Sequence, residues 1–77
     1  MSMGLVNRAF AAALGTKGTS NGCVMTYGRD ATGKQQQLLL CSVTLPSGSL
    51  ALAKSTVDGR ADLVAAAEKL AHDFKGA

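Results

Sequence analysis

The chain has 77 residues, carries a formal net charge of +3, and is 47% hydrophobic and 17% charged. That length holds one small domain and no second core, so residues 1–77 are expected to fold as one unit, and the composition excludes a disordered chain. No run approaches the ~20 apolar residues of a membrane span, and the charge is compatible with nucleic acid without forming a dense basic stripe.

In chain order, "MGLVNRAFAAAL" (residues 3–14) sets Val6, Phe10, Ala13 and Leu14 on one face at helical spacing, with Gly15 placed to end the helix. Its "AFAAALG" is similar to a signal-peptide core, but at seven residues it reads as part of the first helix. "GTKGTSNG" follows as a glycine-rich connector, then "CVMTY", "QLLLCSVTL" and "LALAK" as three β-prone runs, with "LPSGS" as the second turn. Ser55, with Asp58 three residues on, predicts the start of a last helix from about Val57 to Phe74. Leu63, Val64, Ala67, Leu70, Ala71 and Phe74 form its apolar stripe.

The expected fold is therefore α+β, in the order α-β-β-β-α, with a three-stranded antiparallel sheet and both helices on one face. Alternation on the second strand predicts Leu39, Cys41, Val43 and Leu45 inward and Leu38, Leu40, Ser42 and Thr44 outward. On the third strand the larger side chains, Leu50 and Leu52, are expected inward and Ala51 and Ala53 outward. An uncovered outer face bearing Leu38 and Leu40 predicts an interface, and a dimer with a second copy or a sister subunit.

"GRDATGK" (residues 28–34) carries the glycines and lysine of a phosphate-binding P-loop, but Gln35 stands where Ser or Thr must hold magnesium. A β-prone run follows it rather than a helix, so the segment reads as a hairpin turn in which Gly33 takes a positive φ. "GTKG" (residues 15–18) matches the backbone-clamping Gly-x-x-Gly loop of KH domains, yet a strand follows where a second helix is required, and it reads as a link. His72 lies on the polar face of the last helix with no partner for metal or catalysis. The two cysteines, Cys23 and Cys41, flank the hairpin turn symmetrically and are expected to lie close as reduced thiols in a cytoplasmic protein. No nucleophile–base pair, carboxylate pair or metal cluster is visible, so neither enzyme activity, a cofactor nor a small-molecule substrate is expected.

"NRAF", "TSNGCVMTY", "LLCSVTLPSG" and "STV" together resemble the small Alu-domain subunits of the signal recognition particle. That resemblance implies a non-enzymatic RNA-binding subunit of a ribonucleoprotein, paired with a sister subunit and docking a sheet surface and basic loops on folded RNA. On it, Lys17, Arg29, Lys34 and Lys54 would contact phosphate. "RADLVAAAEKL" is similar to the last helix of double-stranded-RNA-binding domains, but Asp58, Gly59 and Asp62 occupy the positions of that family's phosphate-gripping lysines. This second resemblance implies a degenerate copy that works as a protein-interaction or dimerisation module.

Overall fold

The computed structural model describes residues 2–76. Helix α1 (Met3–Leu14) is followed by a single tight helical turn at Gly15–Lys17, then strands β1 (Thr19–Arg29), β2 (Gln35–Thr44) and β3 (Leu50–Val57), and finally helix α2 (Leu63–Asp73). The strands form one antiparallel sheet in the order β1-β2-β3. The α-β-β-β-α order expected from the periodicities is the one observed.

Ser2 caps α1, its Oγ accepting the Gly4 N–H at 3.1 Å, and Gly15 ends the helix at φ 59°. Val6, Phe10 and Leu14 are fully buried along one stripe of that helix. They join Cys23, Leu39, Cys41, Val43, Ala53 and Val57 of the sheet and Ala67 and Ala71 of α2 in a single core. The core thus draws on both helices and on one set of alternating strand positions. Gly18 is needed where β1 begins, because a Cβ there would meet Val43 Cγ1 at 2.6 Å and the Thr44 carbonyl oxygen at 2.8 Å.

Three expectations are corrected. Leu50 and Leu52 point outward, 75% and 62% exposed, while Ala53 and Val57 are buried. Cys41 pairs with Ala53 and Val43 with Ala51, so the alanines share the core side with the inward residues of β2. The core side of β3 meets α2, whose own buried residues are Ala67 and Ala71, and small side chains let helix and sheet approach closely. Second, α2 starts at Leu63, and Asp62 rather than Ser55 caps it, its Oδ1 accepting the N–H groups of Val64 (3.0 Å) and Ala65 (3.2 Å). Residues 55–57 instead continue β3 opposite Leu39, Leu38 and Gln37, as β-branched Thr56 and Val57 favour. The chain then turns at Asp58, whose Oδ1 accepts the Arg60 N–H at 2.8 Å.

Third, Cys23 and Cys41 are not free thiols. They face each other in the β1–β2 register with Cα atoms 4.0 Å apart and are joined as a disulfide inside the core.

Candidate functional site

The β1–β2 register lays out the outer sheet face row by row. Val24 lies opposite Leu40, which lies opposite Lys54; Thr26, Leu38 and Thr56 form the next row, and Ser42 sits beside Leu52 on the other side. Leu50, Leu52, Leu40, Leu38 and Val24 therefore run as a diagonal apolar ridge across all three strands. Val24 is 59% exposed, whereas Leu38 and Leu40 are half-buried by their neighbours. A floor of small residues flanks the ridge. Gly28 lies so close under Leu38 that a Cβ would come within 3.0 Å of its Cδ1. At one corner Asn21 Nδ2 donates to Thr44 Oγ1 at 2.9 Å, fastening the β1 bulge that opens at Ser20–Gly22. Lys54 is the sole charged side chain among the paired positions of this face.

Leu38 and Leu40 were expected here and are found here. Val24, Leu50 and Leu52 were missed, although one signal existed: buried Val57 shares its strand parity with Ala53, not with Leu52.

The four basic residues singled out in the sequence do not converge. Lys17 Nζ donates to the carbonyl oxygens of Ala71 and His72, both at 2.9 Å, and so satisfies the C-terminal end of α2. Arg29 and Lys34 stand at the opposite end of the sheet, about 33 Å away along the ten residue steps of β1, and Lys54 lies between them on the outer face. All four are exposed.

The hairpin end is built by Asp30. Its Oδ1 accepts from the Thr32 Oγ1 at 2.6 Å and from the N–H groups of Thr32 and Lys34 at 2.9 Å, while Gly33 closes the turn at φ 86°. Arg29 Nη1 donates to the Gly33 carbonyl at 2.8 Å. This is the connection of two antiparallel strands and not a phosphate cradle before a helix. The Thr32 hydroxyl first, and then the Lys34 N–H, hold the Asp30 carboxyl below its ordinary value. A depressed folded-state value stabilises the turn above the unfolded value of about 3.9, and that contribution disappears as pH falls through the folded one. Asp30→Asn is therefore expected to flatten part of the acid limb of the stability–pH curve below about pH 5, measured by urea unfolding at successive pH values; an unchanged limb would place the titration elsewhere.

Between this hairpin and the β3–α2 loop lies an open groove of about 700 Å³, lined in part by Tyr27, Lys34, Gln35, Gln37 and Asp58. It offers the Lys34 ammonium, amides and a phenol, and its two carboxylates, Asp30 and Asp58, already bond to backbone N–H groups. Among the described residues there is no cluster of His, Cys, Asp or Glu able to hold a metal, and no helix long and apolar enough to cross a membrane. What the arrangement can do chemically is bury apolar surface and pair free strand backbone. No protein-family model, curated protein or solved structure matches the chain.

Proposed function

We propose that this chain is a non-enzymatic association module that docks through the outer face of its sheet onto a second copy of itself. The observation that carries the reading is the ridge of Val24, Leu38, Leu40, Leu50 and Leu52 on a face with one charge. Single exposed leucines are ordinary on a protein surface; a contiguous ridge crossing three strands is not. The molecule exposes 4934 Å², against about 4400 Å² for a typical monomer of this mass, so it carries surface to spare for a partner.

The shape suits a second copy. Two ridges related by a two-fold axis in the plane of contact lie side by side, each over the other's floor of Gly, Ser and Thr, so one patch serves both subunits. Lys54 sits on an edge strand and reaches the rim with its ammonium in water. The face belongs to one small three-stranded sheet, so the dimer is expected to dissociate on dilution. Leu52→Lys is expected to make the protein monomeric at concentrations where the parent is dimeric, with its far-UV circular dichroism unchanged. Sedimentation equilibrium of both proteins checks this. A parent monomeric throughout, or a dimer indifferent to Leu52→Lys, overturns the reading.

A second reading follows the Alu-subunit resemblance and rests on the hairpin tip. Arg29 and Lys34 are exposed there, across the groove from the loop that carries Arg60. A ribonucleoprotein subunit would set these cations against phosphates of a folded RNA, with affinity falling steeply as salt rises. A titration against a structured RNA at two salt concentrations decides it. Salt-sensitive binding weakened by Lys34→Ala supports this reading, and absence of binding at micromolar protein removes it.

A further inference from the structure

We infer that the free edge of β3 accepts an extended acidic peptide from another protein as a fourth strand. The two edges of the sheet are treated differently by the fold. The β1 edge is closed: a bulge interrupts it at Ser20–Gly22, α1 packs over it, and Asn7 Oδ1 accepts the Cys23 N–H at 2.7 Å. Each of these is a way of keeping another chain from pairing there. β3 has neither a bulge nor a helix side chain bonded to its backbone, and α2 packs against its core side. Its eight residues pair with β2 in unbroken register, and among the described residues no helix or loop group bonds to the backbone of Leu50–Val57. Apart from the Thr56 carbonyl, which accepts the neighbouring Ser55 hydroxyl at 3.3 Å, its far side presents alternate N–H and C=O groups with no partner among the described residues, and only an extended chain matches that pattern.

Chemistry beside the edge says what kind of strand. An open groove of about 460 Å³ runs between β3 and α2, walled by the half-buried side chains of Leu70 and Phe74 and rimmed by Lys54, Lys69, Lys75 and Asp73. Lys69 is held by Asp73 at 2.7 Å, which leaves Lys54 and Lys75 as the groove's cations with no acidic partner among the described residues. Apolar walls take the inward side chains of an added strand, and the two lysines select carboxylates at its ends. The same charge argues against β3 pairing with its own copy. Antiparallel self-pairing over the full strand sets the two Lys54 side chains opposite or diagonal on one face, within about 8 Å, where like charges are destabilising. Leu52 and Lys54 border both surfaces, and the N-methylated probe, which reads the edge backbone alone, separates this inference from the association proposed above.

The probe is an acetylated, amidated hexapeptide with Glu at each end and alternating Val and Thr between, titrated into the full chain and followed by amide chemical shifts. Shifts are expected to concentrate at residues 50–57 and 69–75. A peptide of the same core with Lys ends is expected to bind about tenfold more weakly, and Lys54→Glu to invert that preference. A single N-methyl group on the probe's bonding edge is expected to reduce affinity about tenfold, because strand addition depends on main-chain hydrogen bonds. Absence of binding at millimolar peptide, shifts confined to the hairpin or α1, or indifference to N-methylation would each overturn the inference.

Discussion

Phe10→Ala is expected to cost about 3–5 kcal/mol of folding stability, enough to leave much of the protein unfolded at 37 °C. Phe10 is completely buried at the middle of α1, between Val6 and Leu14 one turn either side, and is the largest fully buried side chain. It belongs to the one core cluster that both helices share with the sheet. Truncation removes the ring's burial and leaves a cavity whose walls belong to three different elements, so no single element can shift to fill it. A chain of 77 residues has a total stability of roughly 4–12 kcal/mol, and the loss is of comparable size. Urea unfolding followed by circular dichroism checks the value, with Phe10→Leu, which keeps most of the apolar volume, as the milder control at about 1 kcal/mol. A loss below about 1 kcal/mol for the alanine variant would mean that α1 does not pack as described.

The second large effect is expected from the Cys23–Cys41 bridge. It ties edge strand β1 to central strand β2 and closes a segment with a sequence separation of 18. Restricting the unfolded chain over a loop of that length contributes about 3 kcal/mol in the chain-entropy treatment. Reduction, or the double change Cys23→Ala with Cys41→Ala, is therefore expected to lower the urea midpoint substantially. Helical signal is expected to survive in the absence of denaturant. Alkylation of the unreduced, denatured protein followed by intact mass is the direct check. No alkyl group is expected before reduction and two after it; two before reduction would remove the bridge. The small-domain argument gives this effect its weight, since a core drawn from so few residues leaves little reserve.

These two predictions concern contacts of opposite legibility. The stripe Val6, Phe10, Leu14 repeats every four residues within twelve, and such a periodicity names both a helix and its buried face without reference to the rest of the molecule. The hairpin is equally local: Asp30, Thr32 and Gly33 supply an acceptor and a positive φ inside a five-residue span, and Gln35 with the β-prone run after it is what sets the Gly-x-x-x-x-Gly-Lys spacing aside as a turn. The facing of β2 was readable as well, since Leu39, Cys41 and Val43 alternate with residues that include Ser42 and Thr44. From that alternation Leu38 and Leu40 were assigned to the outer face, where the structure has them.

Other features depended on what lies across from them in space. β3 alternates leucine with alanine, and hydrophobicity alone puts leucine inside. The opposite facing results because the helix that covers this strand presents Ala67 and Ala71, and volume at the contact outweighs side-chain hydrophobicity. That inversion placed Leu50 and Leu52 on the outer face and enlarged the candidate interface beyond the two residues read from β2. Lys17, set at a phosphate by the resemblance, bonds to carbonyl groups 54 and 55 residues further on. A helix end leaves such carbonyls unpaired, but which cation finds them is decided only when the ends of α2 and the start of β1 are brought together. The start of α2 moved for a related reason: Ser55 has a capping residue's chemistry, yet a ladder with residues 37–39 and burial of Val57 hold that segment in the sheet, and the cap falls to Asp62. Period and turn chemistry within a few residues were thus set by the sequence itself, whereas facing, partner choice and the openness of the β3 edge followed from packing between elements far apart in the chain.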